Sequence, residues 1–184
     1  MKKITLGNVI KEYEVGTSFE QIMREHYLDK SEQIILVKVD GKLEELTKKV
    51  KRDCTVEPIF FCDNPGYNSY RRSTTFLMLK AIYDLYSRDE IGEVRVEFSA
   101  GAGYFCTLSG RLKTDQIFTK RVETRMKEYV EEAIPIKKEV INTQEAIARF
   151  SEYGMKDKAA LFRYRRASKV NVYSIGGFQD YYYV

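Results

Sequence analysis

The chain reads as an α+β protein in two parts, a small sheet module carrying one helix and then an antiparallel sheet covered by helices. Three observations lead there. Short alternating strands divided by tight-turn residues fill the first third. A dense apolar stretch, residues 70–86 (YRRSTTFLMLKAIYDLY), occupies the middle and is too long for a strand. Alternating strands then return, separated by capped amphipathic helices.

In order, KKITL is a strand and Gly7-Asn8 supplies a hairpin turn into VIKEYEV. Thr17-Ser18-Phe19-Glu20 forms a capping box, with Thr17 as cap and Glu20 reaching back. The helix it opens carries Phe19, Ile22 and Met23 on one face. IILVKVD is a buried strand, Gly41 turns it into KLEEL, and a last strand covers residues 55–60. The order β-β-α-β-β-β is the β-grasp, ubiquitin-like pattern. CDNPGYNS, residues 62–69, is a turn-rich linker. Ser73 or Thr74 caps the central helix, on which Lys80 and Asp84 share a face four residues apart. VRVEF and YFCTL form a hairpin across SAGAG. Thr114 caps an amphipathic helix carrying Phe118, Val122, Met126 and Tyr129, which Pro135 closes. IKKEVI is a strand. Asn142-Thr143-Gln144-Glu145 starts a helix that runs to Gly154. A short helix over 158–162 precedes RYRRAS and two closing strands, KVNVYSI and FQDYYYV. The expected domains are therefore 1–61 and 70–184, with 62–69 as linker.

Composition narrows the function. With 43% hydrophobic residues among 184, a core is affordable. Lys plus Arg is 31 against 27 for Asp plus Glu, a net charge of +4 that permits a polyanion partner without demanding one. Cys54, Cys62 and Cys106 are an odd set without CxxC spacing, which fits a reducing compartment rather than a disulfide framework. A single histidine, His26, excludes chemistry that needs two. No signal peptide and no bilayer-length apolar run are visible, so the expected location is cytoplasmic, with no membrane partner.

Two resemblances add to this. ITLGNVIKEYEVGTSFEQIMRE followed by ILVKVDGKLEELTKKV resembles a TGS domain, carried by Gly16-Thr17-Ser18 and Val39-Asp40-Gly41. Such domains are ligand- or RNA-binding modules without chemistry of their own. The second part resembles the second additional domain of threonyl- and alanyl-tRNA synthetases. Gly103-Tyr104-Phe105-Cys106 matches that family's hairpin element, and Phe178-Gln179-Asp180-Tyr181-Tyr182 matches the start of its late cysteine-bearing segment. The family's editing site needs an HxxxH pair, which here falls on Arg72 and Phe76, and Tyr182 stands in the cysteine's place. The resemblance therefore implies a vestigial pocket of Arg72, Ser73, Phe76, Tyr104, Cys106, Asp180 and Tyr182, with no catalytic residue. Over nearly its whole length the chain also resembles the N-terminal half of bacterial uridine kinase-like nucleoside kinases. That resemblance implies a longer protein with a kinase domain downstream in cis, and it assigns ATP and Mg to that domain alone.

The residues themselves support no cofactor. Ser99-Ala100-Gly101-Ala102-Gly103 precedes a strand and lacks the Lys-Ser/Thr of a P-loop, so it reads as a hairpin turn. The three cysteines and His26 lack the close pairs of a zinc site, so no metal is expected. Tyr70-Arg71-Arg72 and Arg163-Tyr164-Arg165-Arg166 interleave fork-shaped cations with stackable rings, a pattern suited to phosphate and unpaired bases. Lys48, Lys49, Lys51 and Arg52 add a basic edge. Solvated surface charge is the competing reading. The expected function is a non-catalytic module binding RNA, such as tRNA, or a nucleotide, and regulating an attached kinase. The alternatives are an editing hydrolase, disfavoured by the missing histidines, and a structural or dimerisation module.

Overall fold

The computed structural model describes residues 1–101, 103–164 and 167–181, with backbone alone at 156 and 157. It divides into two compact units, Met1–Thr75 and Phe76–Val184. Both are α+β, as the sequence predicts.

In the first unit, β1 (Lys2–Leu6), β2 (Val9–Tyr13), β3 (Ile34–Val39), β4 (Lys42–Glu45) and β5 (Cys54–Phe60) form one sheet in the order β2-β1-β5-β3-β4. The central pair β1 and β5 is parallel and the other pairs are antiparallel, which is the β-grasp arrangement. Leu6 pairs with Val9, closing the first hairpin on Gly7-Asn8, and Gly7 takes φ 59°, a conformation glycine adopts without a Cβ penalty. Helix α1 (Phe19–Tyr27) presents Phe19, Ile22 and Met23 to Ile4, Leu6, Val37 and Val56, and these form the core. Its cap is Ser18, one residue beyond the predicted Thr17, with Ser18 Oγ accepting from Gln21 N at 3.2 Å.

Helix α2 (Asn64–Leu85) begins earlier than the sequence suggests. Residues 64–69, read above as linker, are helical. Proline breaks a helix only in its interior. Here Pro65 sits in the first turn, where a backbone N–H has no intrahelical partner to lose. Ser73 and Thr74 are consequently not caps. The Thr74 hydroxyl donates to the Tyr70 carbonyl at 2.9 Å, a bond made in mid-helix. Gly66 explains how the helix starts so close to the sheet, because a Cβ there would lie 2.0 Å from the Phe60 carbonyl oxygen. Gly66→Ala is expected to destabilise the chain by about 1–3 kcal/mol, an overpacking cost read from the urea midpoint.

In the second unit, β6 (Val94–Ala100) and β7 (Gly103–Leu108) form a two-stranded ribbon. The strands β8 (Lys137–Asn142), β9 (Lys169–Ile175) and β10 (Phe178–Tyr181) form an antiparallel sheet in the order β10-β9-β8. Helices α5 (Thr143–Glu152) and α6 (Lys156–Arg163) bury Ala146, Phe150, Ala159 and Phe162 against Ile141, Val170 and Val172. From α2, Phe76 and Tyr83 pack on Phe178, with ring centroids 5.5 and 5.7 Å apart. A further core joins Ala81 and Ile82 of α2 to Ile91 of α3 (Arg88–Ile91) and to Val122 and Tyr129 of α4 (Gln116–Glu131). Asp115 caps α4 in place of the predicted Thr114, its Oδ1 accepting from Phe118 N at 2.8 Å.

One polar cluster crosses that core. Lys80 is only 6% exposed. Its ammonium donates to Asp84, and the Tyr129 hydroxyl donates to the same carboxylate oxygen. Lys80 Nζ also lies 5.2 Å from the Tyr129 ring centroid, and Arg125 donates to the Tyr129 hydroxyl at 3.0 Å. Burial and then the bond to Asp84 push the Tyr129 phenol above its ordinary range.

Candidate nucleic-acid interface

The amino-terminal turns of α2, within the first unit, carry the aromatic–cationic pattern. Residues 67, 70, 71 and 74 fall on one helical face by their spacing. Tyr67 is 41% and Tyr70 54% exposed, and the Arg71 guanidinium carbon lies 5.5 Å from the Tyr67 ring centroid. Arg72 and Ser73 are exposed beside this face. Tyr70, Arg71 and Arg72 are the candidates that the sequence offers here, and Tyr67 is not among them. Its signal is the i, i+4 spacing to Arg71, which is meaningful only once residues 64–69 are helical. Chemically this surface offers rings to stack on bases and guanidinium groups to contact phosphate.

The second unit holds the other predicted cluster. Arg163 lies in the last turn of α6, where the helix dipole favours a cation. Tyr164 follows as the C-cap and is 89% exposed. Arg165 and Arg166 lie outside the described residues. Arg163 borders an open cleft of about 580 Å³, together with Asn142, Thr143, Gln144 and Ser168 at the start of α5. The Thr143 hydroxyl donates to the Ala167 carbonyl and Thr143 N to the Ser168 carbonyl at 3.1 Å, which fixes the segment after Arg166 to that helix start. Sequence reading placed Arg163 but not this cleft, because its walls are far apart in the chain.

The pocket implied by the synthetase resemblance has a different character. Phe76 is 2% exposed, and its ring is occupied by Phe178. Asp180, on the same face of β10 as Phe178, is buried at 4% exposure. Its carboxylate accepts from Lys158 Nζ, and from Tyr181 N at 2.6 Å. Tyr104 and Cys106 share one face of β7. Burial, and then Glu97, push the Cys106 thiol above its usual range, so it is a poor nucleophile at neutral pH. Tyr182 lies outside the described residues. Among the described residues no group of three or more His, Cys, Asp or Glu is placed to hold a metal.

On the basic edge of the first unit, Lys48 pairs with Glu44, and Arg52 reaches Asp40 at 2.9 Å. Lys49 and Lys51 are exposed. Among the described residues no helix is long and apolar enough to cross a membrane.

No protein-family model matches the chain. It is similar to threonine–tRNA ligases. That of Natranaerobius thermophilus is 28% identical over 155 residues, covering 84% of this chain and 24% of the ligase. That of an Exiguobacterium species is 26% identical over 172 residues, covering 93% and 27%. That of Parabacteroides distasonis is 25% identical over 181 residues, covering 98% and 28%. None of these is a nucleoside kinase. The chain spans about a quarter of the length of the curated relatives it matches, and it is homologous to the N-terminal region of threonine–tRNA ligases.

Proposed function

We propose that this chain is a non-catalytic, cytoplasmic tRNA-binding module, a TGS-like part at 1–61 and a synthetase-like part at 70–184, whose contact residues are Tyr67, Tyr70, Arg71, Arg72, Arg163 and Tyr164. The observation that carries the proposal is the solvent-facing Tyr67–Tyr70–Arg71 face of α2 in a chain homologous to tRNA ligases. Phe76 supports the non-catalytic half. Hydrolysis at that helix position requires a group that holds or activates water, and a phenylalanine packed on Phe178 supplies hydrocarbon.

Fluorescence anisotropy with tRNA and with short single-stranded RNA, across a salt series, tests this. With roughly four phosphates neutralised, the log–log salt slope is expected near −3, from about −0.7 per contact on a single strand. Arg71→Ala or Arg72→Ala flattens the slope by about 0.7, whereas Tyr70→Ala weakens binding by about 1–3 kcal/mol at nearly constant slope. Unchanged binding in Arg71→Ala/Arg72→Ala and in Arg163→Ala refutes the assignment. A deacylation assay on mischarged tRNA is expected to stay at the uncatalysed rate, and turnover there would replace this reading with the editing hydrolase. Linkage to a uridine kinase-like domain using ATP and Mg is a separate proposal resting on the sequence resemblance. It is checked by whether the gene's reading frame continues beyond Val184 into a P-loop.

A further inference from the structure

The first unit carries a cleft whose charge is opposite in sign to that of the chain. It is open, encloses about 640 Å³, and lies between α1, the 3-10 helix Leu28–Gln33 that follows it, and the start of β3. Its apolar wall is Met23 and Ile34, both buried, with Leu46 partly buried beside them. Its polar lining holds three carboxylates, Glu20, Asp29 and Glu32, against one cation, Arg24. That cation already lies on Glu20, at 2.7 Å. Asp29 and Glu32 are exposed, and their carboxylates have no partner among the described residues. Helix α1 also ends here, and the carbonyls of its last turn add partial negative charge. The chain as a whole is at +4. Leu28 marks the rim. It is 71% exposed, stands outside the core, and takes φ 28°, a conformation that a leucine adopts only under strain. Ser31 holds it there, its Oγ donating to the Leu28 carbonyl at 2.8 Å. Neither packing nor backbone preference accounts for a leucine at this position.

We propose that this cleft docks a basic segment of another protein. One apolar side chain of that segment enters against Met23 and Ile34, and Lys or Arg on either side of it reaches Asp29 and Glu32. Charge complementarity selects the occupant. A nucleic acid would bring phosphate against two unpaired carboxylates, so the cleft is not a continuation of the RNA surface. None of its residues belongs to that surface, and the two proposals stand independently. A wholly apolar ligand would cover Asp29 and Glu32 without pairing them, which costs their hydration. A small cation would leave the Met23–Ile34 wall in water. A basic segment with an apolar anchor satisfies both halves of the lining, and Leu28 adds apolar surface where that segment would leave the cleft. The contact is small beside a standard protein interface, so the complex is of the weak, transient class and loosens as salt screens the carboxylates.

Backbone-amide NMR on the intact, isotope-labelled chain tests the proposal. The probe is a synthetic peptide with a central leucine flanked on each side by lysine and arginine. It is expected to shift the amides of Met23, Leu28, Ile34 and Leu46 saturably. The same peptide with glutamates for its cations should leave them unmoved. With serine for its leucine it should bind about tenfold more weakly, the loss expected for one buried apolar side chain. Asp29→Lys/Glu32→Lys should weaken the probe by about tenfold or more and keep a native spectrum, since both side chains are exposed. Leu28→Gly should also weaken it while leaving the thermal midpoint unchanged or higher, because glycine relieves the positive φ. A probe that moves no cleft amide at millimolar concentration overturns the proposal. So does unchanged binding in Asp29→Lys/Glu32→Lys or in Leu28→Gly. Equal shifts from lysine amide alone would make the cleft a small-cation site, equal shifts from single-stranded RNA would join it to the RNA surface, and the same shifts on concentrating the chain without probe would make a second copy the occupant. Each of these three results also overturns it.

Discussion

Asp84→Ala is expected to destabilise the second unit by about 3 kcal/mol, the lower end of the ~3–5 kcal/mol typical of breaking a buried pair. Lys80 sits in the α2–α4 core at 6% exposure, with an ammonium that must be satisfied there. Asp84 is its anionic partner and is itself a third exposed. Removing Asp84 strands the ammonium against hydrocarbon and the Tyr129 ring, and also takes away the acceptor of the Tyr129 hydroxyl. The ring face recovers part of the loss, which is why the lower end applies.

The converse change costs less. Lys80→Met removes the buried charge and keeps most of the volume, while Asp84 retains the Tyr129 hydroxyl and has Arg125 at 4.0 Å. A loss of about 1 kcal/mol is expected, and chemical denaturation of both single variants and the double variant separates the terms. Lys80→Met/Asp84→Ala should be more stable than Asp84→Ala alone, giving a coupling of about 0.5–3 kcal/mol. Equal losses in the two single variants would mean that the pair is solvated and that Lys80 is not a buried charge at all.

The same cluster marks the limit of what periodicity reveals. From spacing, Lys80 and Asp84 share a helix face, but a charged face gives no warning that a neighbour will bury it. The partner is Tyr129, 45 residues away on α4. The β-grasp unit was legible because its information is local. Gly7-Asn8 closes a hairpin, and Phe19, Ile22 and Met23 repeat at helical spacing above alternating strands. The caps at Ser18 and Asp115 were displaced by one residue because adjacent polar side chains compete for the same backbone donors. The start of α2 was missed because Asn64-Pro65-Gly66 is turn chemistry in isolation. Asp63 sets the start, its carbonyl accepting from Tyr67 N at 2.8 Å, and Gly66 lets the first turn lie against the Phe60 carbonyl. Tyr67 was lost with it, and so was half of the aromatic face on which the proposed site rests. Arg163 was visible as part of a basic run, but the cleft it borders needs residues 142–144 and 168, which only the fold brings near.

Gly110→Ala is the other large effect, expected at or above the top of the ~1–3 kcal/mol range for overpacking. The cause is steric. Gly110 does not take a positive φ, so alanine would be conformationally acceptable in an open position. A Cβ there, however, would lie 2.2 Å from both the Glu90 carbonyl oxygen and the Ile91 carbonyl carbon, and 2.5 Å from the Ile91 carbonyl oxygen. None of these is a flexible side-chain end. Both segments are held by backbone bonds: Gly110 N donates to the Ile91 carbonyl at 2.8 Å, and Arg111 N donates to the Glu90 carbonyl at 3.0 Å. Glu90 is anchored again through its side chain, which accepts from Ser87 N at 2.9 Å and from the Ser87 hydroxyl at 2.8 Å and is thereby held below the usual carboxylate range. Separating the two strands of chain would pull on Ile91, which is fully buried, and on the root of the β6–β7 ribbon at Val94 and Leu108. Gly103→Ala is the matched control. It lies in the same hairpin, and the nearest atom a Cβ would meet is the Ala100 carbonyl oxygen at 3.8 Å. Thermal denaturation should therefore separate the two variants, Gly103→Ala within about 0.5 kcal/mol of the parent as for an ordinary surface change. Equal stability of Gly110→Ala and the parent would mean that the 90–92 and 109–111 backbones can part without loss.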